Sequence, residues 1–304
     1  MPTIFIDGEA GTTGLLIRDH LQGMPGISLL SIDPADRKDP AARQALMRQA
    51  DLLILCLPDA AAREAVALAD ALGAESPRIL DASSGHRTAP GWVFGFPELA
   101  AGQADAIRTA PRVSNPGCYA TGAIALIRPL VDAGFITPDM PLSINAISGY
   151  SGGGRQMIEA HETAGGPPFE LYALSLEHKH VPEIMAHSGL TRRPIFVPSV
   201  GHYLRGMLVS LPLHLADLPG APRLSDLHAA LEARYAQAAE ITVSAEPLAH
   251  LGPEGLNGTN ALSLHVLGNE AAGQALLVAR LDNLGKGASG AAVQNLGLML
   301  DLGR

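Results

Sequence analysis

An α/β domain built on a parallel sheet, followed by an α+β domain with a mixed, largely antiparallel sheet, is the architecture predicted for this chain of 304 residues. Two observations carry that reading. Up to about residue 130, short apolar runs alternate with helix-like stretches, the pattern of a parallel sheet wrapped by helices. After Asp139 the apolar segments are longer or strictly alternating, with fewer helices between them, as half-buried antiparallel strands require.

"TIFID" opens as a strand, and "GEAGTTG" turns it into a helix from about Thr12. "ISLLSID" is the second strand. "DLLILCLP" is continuously apolar, which predicts a strand buried on both faces and makes Cys56 a packing residue. The Ala-rich helix "AAAREAVALADALG" follows, then the strands "RILDASS" and "RVSNPG". Beyond the Pro116-Gly117 turn a helix is predicted to begin at Cys118 and run to about Ala133. In the second region "PLSINAISGY", "PIFVPSV", "MLVSLPLHL", "EITVSAE", "ALSLHVLG" and "QALLVARLD" read as strands. In "MLVSLPLHL", Met207, Val209, Leu211, Leu213 and Leu215 share one face, while Ser210, Pro212 and His214 take the other. The closing "NLGKGASGAAVQNLGLMLDLG" returns to a small-residue helix that can pack on the first domain.

A formal charge of −9 and the absence of a basic cluster argue against a nucleic-acid partner. No apolar run approaches the span of a bilayer, and the N-terminus lacks the basic head and long apolar core of a secretory signal, so no membrane role and a cytoplasmic location are expected. Two cysteines, neither in a CxxC pair nor in zinc-ligand spacing, imply reduced thiols and no metal site.

Gly8, Gly11 and Gly14 stand at the first strand-to-helix turn, where missing side chains admit a pyrophosphate to backbone N–H groups and the helix N-terminus favours its charge. With Thr12 and Thr13 they form a candidate dinucleotide site of a Rossmann domain, although the GxxGxxG spacing departs from the commoner fingerprint. Arg37 and Lys38, beyond the second strand, suit a 2′-phosphate and favour NADP(H); Asp33 keeps NAD open through a ribose diol.

Cys118, in the first turn of a helix at the C-terminal edge of the sheet, is placed to become a thiolate nucleophile, since the helix dipole lowers a thiol pKa there. A thiolate beside a nicotinamide attacks an activated carbonyl and passes through a thioester. The general acid/base is sought in "LEHKHVPEI", where His178 and His180 would face one side on a strand and splay apart on a helix; His202 in "SVGHYLRG" is a second candidate. Ser83, Ser84 and Arg87 in "SSGHR", and Gly152, Gly153, Gly154 and Arg155 in "SGYSGGGR", supply donors for a phosphorylated, carboxylate-bearing substrate, with Asn115 beside the cysteine turn.

The blocks "DGEAGTTG", "DASSGHR", "SNPGCYAT", "SGYSGGGR", "EHKHVPEI" and "LDNLGKGASGAAVQN", in this order along the chain, resemble the N-acetyl-γ-glutamyl-phosphate reductases in their shorter, type 2 form, and more distantly the aspartate-semialdehyde dehydrogenases. The resemblance implies NADPH-dependent reduction of an acyl phosphate to a semialdehyde in arginine biosynthesis, with release of inorganic phosphate, by a homo-oligomer, a dimer or tetramer. It puts the nucleophile on Cys118 and the acid/base on the HxH pair, His180 ahead of His178. Cofactor contacts fall on the three glycines, Ser83, Ser84, Asn283, Lys286 and Gly287. It also implies a discontinuous NADP-binding domain, 1–117 with 283–304, around a catalytic and oligomerisation domain, 118–282. Two rivals stand beside it: a reductase of a related acyl phosphate such as aspartyl phosphate, and a non-catalytic NADP-binding regulator.

Overall fold

The structure is a computed structural model in which residues 1–302 are described. In chain order its elements are β1 (Thr3–Asp7), α1 (Thr12–Gln22), β2 (Ser28–Leu30), α2 (Pro40–Met47), β3 (Leu52–Leu55), α3 (Asp59–Asp70), β4 (Arg78–Asp81), β5 (Val93–Phe94), α4 (Gln103–Thr109) and β6 (Arg112–Ser114). There follow α5 (Cys118–Asp132), β7 (Ser143–Gly149), α6 (Gly154–Ala164), β8 (Phe169–Leu171), α7 (Val181–Ser188), β9 (Ile195–Gly201), β10 (Met207–His214), α8 (Leu224–Tyr235), β11 (Ile241–Ser244), β12 (Leu262–Asn269), β13 (Gln274–Leu281) and α9 (Gly290–Met299). The chain forms two compact units, one of residues 1–97, 101–116 and from 288 on, the other of residues 98–100 and 117–287. Among the described residues no helix is long and apolar enough to cross a membrane.

The first unit holds a parallel six-stranded sheet in the order β2-β1-β3-β4-β6-β5. Its strands are apolar on both sides because both faces are covered. Ile4, Ile6 and Ile54 pack with Ile17 of α1 and with Ala292 and Leu296 of α9, while Phe5, Leu53 and Leu55 pack with Ala62, Ala65 and Ala69 of α3. The third strand ends at Leu55, so Cys56 lies one residue past it rather than inside. The residue keeps partial exposure, yet its surroundings push the thiol up to about 12, burial first and then the charges of Asp81 and Asp7.

The second unit holds a mixed seven-stranded sheet in the order β11-β12-β13-β10-β7-β9-β8. Alternation sorts its residues into two faces. One carries Val209, Leu211 and Ala279, fully or nearly fully buried. Helix α5 lies against it so closely that a Cβ on Gly122 would stand 2.8 Å from Val209 Cγ2. Register places Leu208, Ile147, Ile195, Phe169, Leu171 and Leu276 on the other face, where Ile195, Phe169, Leu171 and Leu276 are exposed.

Candidate active site

Strand β6 ends at Ser114, and Asn115, Pro116 and Gly117 turn the chain into α5, whose first residue is Cys118. Gly117 is the N-cap, in extended conformation and without a side chain to cap the helix; the first turn holds no acidic residue. First-turn N–H groups have no intrahelical acceptors, and their dipoles point at the Cys118 position, a setting that favours a thiolate. Cys118 is half-buried.

Helix α7 packs against α5 and brings the acid/base candidates with it. His180 is its N-cap, with proline in the first turn. Neither strand nor helix geometry applies to the HxH pair: His178 and His180 lie in a turn, their rings 4.7 Å apart at 83°. The turn closes when the His180 N–H donates to His178 Nδ1 (3.1 Å). Because a backbone N–H can only donate, neutral His178 carries its proton on Nε2, which faces the Tyr172 hydroxyl at 3.4 Å. Both imidazoles sit beside Tyr119, 5.8 and 5.9 Å between centroids, and the Tyr119 hydroxyl donates to the Ser199 carbonyl (2.9 Å). Burial pushes the Tyr119 and Tyr172 phenols up, and the charge at Cys118 pushes both in the same direction.

Glu183, one turn into α7, is 1% exposed. Its Oε2 accepts the Gly117 N–H (3.1 Å) and its Oε1 lies 3.9 Å from His180 Nε2. One buried carboxylate thus touches the backbone just ahead of Cys118 and faces the imidazole. His202 lies in a different cluster, its Nδ1 2.9 Å from His161 Nδ1 and its ring tilted toward Tyr150.

The "DNLGKGASG" segment contains a π-helical turn, Gly285–Ser289, whose first three residues close the second unit and whose last two open the final segment of the first. Asn283 accepts the Gly206 N–H and donates to Ser151 Oγ, both at 2.9 Å. Lys286, 1% exposed, pairs with Glu98 at 2.8 Å. Gly287 lies against Cys118: a Cβ there would stand 2.7 Å from Cys118 Cβ and 3.2 Å from its Cα. In the glycine loop the N–H groups of Gly149, Tyr150 and Ser151 bond to Gly206, Tyr203 and Leu204, while Gly152, Gly153 and Arg155 are exposed.

In the first unit Gly8 (φ +91°) and Gly14 are demanded by packing, since Cβ atoms there would lie 2.4 Å from the Cys56 carbonyl oxygen and 2.5 Å from the Gly8 carbonyl oxygen. Gly11 is not: its Cβ would meet nothing closer than 3.4 Å. It is the N-cap of α1, with no side-chain cap and no acidic residue in the turn of Thr12 and Thr13, an arrangement suited to a phosphate group. Arg37 and Lys38 are exposed after β2, and Asp33 caps its own turn by accepting the Ala35 N–H (2.8 Å). The Ser83 hydroxyl donates to Asp81 and that of Ser84 to Asp59. Arg87 is buried, its Nε donating to the Asn115 carbonyl (2.9 Å). The Asn115 amide donates to the Ala288 carbonyl and accepts from Asn295, both at 3.0 Å, which ties the end of β6 to the start of α9.

A family profile described as "Semialdehyde dehydrogenase, dimerisation domain" matches residues 118–283. Over 98% of its length the chain is 53% identical to an N-acetyl-gamma-glutamyl-phosphate reductase of Burkholderia cenocepacia and 53% identical to N-acetyl-gamma-glutamyl-phosphate reductase 2 of Pseudomonas putida, covering 97% of each. The chain belongs to the N-acetyl-gamma-glutamyl-phosphate reductase family. Among solved structures, aspartate semialdehyde dehydrogenase II of Vibrio cholerae complexed with ASA shares the fold at a TM-score of 0.72 and 15% identity, covering 99% of this chain and 98% of that one. The Candida albicans enzyme with NADP shares it at 0.67 and 12%, with the same coverage.

In this member of the N-acetyl-gamma-glutamyl-phosphate reductases, sequence reasoning overlooked Glu183, Tyr119 and Tyr172. Glu183 follows His180 by three residues, which on a helix start folds a side chain back toward the cap, and that spacing was a usable signal. The tyrosines gave none, because Tyr119 meets the histidines and β9 only through the fold, and Tyr172 meets His178 only through an irregular turn.

Proposed function

We propose that this chain reduces N-acetyl-γ-glutamyl phosphate to N-acetylglutamate 5-semialdehyde and inorganic phosphate with NADPH, the first unit binding the dinucleotide and the second carrying catalysis and self-association. The observation that carries the mechanism is the joint made by Glu183 between the Gly117 N–H and His180, with Cys118 the first residue of the helix that Gly117 caps.

Cys118 Sγ attacks the γ-acyl carbon, the bond from that carbon to the phosphate oxygen breaks, and phosphate leaves with its electron pair. The dipole of α5 stabilises the thiolate that begins the step. The Gly11-Thr12-Thr13 turn would hold the pyrophosphate of the dinucleotide and Arg37 and Lys38 its 2′-phosphate; NADPH bound there would supply the hydride equivalent for reduction of the thioester. His180 gives the proton that the new oxygen needs and takes it back as the carbon–sulfur bond breaks; the Glu183 carboxylate stabilises the imidazolium. His178, fixed as an Nε2–H donor, orients the acyl group. Arg155 and the exposed glycines 152 and 153 meet its charged ends, and Arg87 holds the Asn115 carbonyl.

Both reactants are small charged metabolites, and we place the reaction in the cytoplasm. The open sheet face of the second unit, with Phe169, Leu171, Ile195 and Leu276 exposed, is an apolar surface of the kind that a second copy covers. The test is the reverse reaction. With N-acetylglutamate semialdehyde and NADP, reduction of NADP is expected only when inorganic phosphate is added, and faster than with aspartate semialdehyde. Phosphate-independent oxidation contradicts the acyl-phosphate chemistry, and a preference for aspartate semialdehyde contradicts the substrate.

A further inference from the structure

Phe169, Leu171, Leu174 and Leu176 are 55%, 47%, 75% and 46% exposed, all within residues 169–176, just before His178. Phe169 and Leu171 belong to β8, the edge of the seven-stranded sheet, paired with β9. Leu174 and Leu176 continue along the turn that leads to His178 and His180. That turn is strained: Ala173 and Leu176, neither of them glycine, hold φ at +50° and +61°. Its inner side packs well, with His178 edge-on to Tyr172, Tyr119 and Phe196. On its outer side the Leu176 N–H bonds to the Ala173 carbonyl and Arg193 Nη2 donates to the Leu176 carbonyl, both at 2.9 Å, while the two leucine side chains face solvent. Backbone strain persists where surrounding contacts over-determine it, and solvent-facing leucines supply no such hold.

We propose that a second copy of this chain, seated on the open sheet face at the β8–β9 edge, also covers Leu174 and Leu176 and so holds the 172–180 turn in the form that sets His178 and His180 against Tyr119. The acid/base is complete only in the assembled enzyme. This rests on the self-association and reductase readings above. A second copy is the chosen occupant because the profile matched over 118–283 is that of a dimerisation domain, the exposed segment lies wholly inside that span, and it runs on from the apolar sheet face.

The experiment compares the full-length wild type with Leu174→Glu/Leu176→Glu by sedimentation velocity and by phosphate-dependent NADP reduction at matched concentrations. Circular dichroism and NADPH fluorescence report whether fold and cofactor binding survive. The expected result is a fall in sedimenting mass to a single chain and a loss of at least tenfold in kcat, with NADPH still bound. Leu174→Ser, at the 75%-exposed position, serves if the double variant does not fold; its activity per chain is expected to fall on dilution where that of the wild type does not. A monomeric variant with wild-type kcat overturns the proposal, as does an inactive variant that stays assembled, which would make the segment a lid over its own site. The wild type in the same assay separates the two readings: its inactivity overturns the reductase assignment, whereas the variant's mass and kcat judge the interface.

Discussion

Two cysteines in one chain differ because of what surrounds each sulfur. Burial first, and then the charges of Asp81 and Asp7, push the Cys56 thiol up to about 12, so it stays protonated at pH 8. Cys118 stands at a helix N-terminus. Iodoacetamide at pH 8 is expected to modify Cys118 alone, read by peptide mass; equal labelling of Cys56 contradicts the assignment. The histidines divide in the same way. His180→Asn is expected to lower kcat by about 10²- to 10⁴-fold, the range of a lost general acid/base, while His202→Ala, in the His161–Tyr150 cluster, keeps most of it. The reverse ranking in steady-state kinetics moves the acid/base to His202. Cys118 and the HxH pair were legible as candidates from residue type and local spacing. The Nε2–H state of His178 was not, since it depends on one N–H two residues away bending back in a turn that neither helix nor strand periodicity describes.

At the scale of elements, periodicity found β10, packed on one side, and β3, buried on both, with the start of α5 given by Pro-Gly punctuation. It passed over β5, which has two residues, and over α2 and α4, whose short amphipathic stretches are outweighed by their charged and Ala-rich surroundings. The first glycine turn looked like one motif and is two devices. Gly8 and Gly14 let α1 approach β1 and the end of β3, whereas Gly11 leaves the helix N-terminus bare. Gly8→Ala is therefore expected to lower Tm by several degrees, about 1–3 kcal/mol of strain and collision, whatever the cofactor concentration. Gly11→Ala is expected to raise the KM for NADPH with Tm nearly unchanged. Equal effects on Tm and KM for both variants contradict this division.

Across the whole molecule, the "DNLGKGASG" segment shows where local reading ends. The resemblance makes it a cofactor loop, and the structure adds long-range ties to it: Asn283 joins two loops, Lys286 holds Glu98 across 188 residues of chain, and Gly287 lies against Cys118. Such ties carry no local signal, because each partner is set by topology. The proposed chemistry begins with a bond from Cys118 to carbon, and that bond is the most direct test. Mixed with N-acetyl-γ-glutamyl phosphate and no NADPH, the enzyme is expected to release a burst of about one phosphate per active site, with the acyl group recovered on the Cys118 peptide by mass spectrometry. No burst and no adduct in the wild type, or the same burst in Cys118→Ala, would contradict the account.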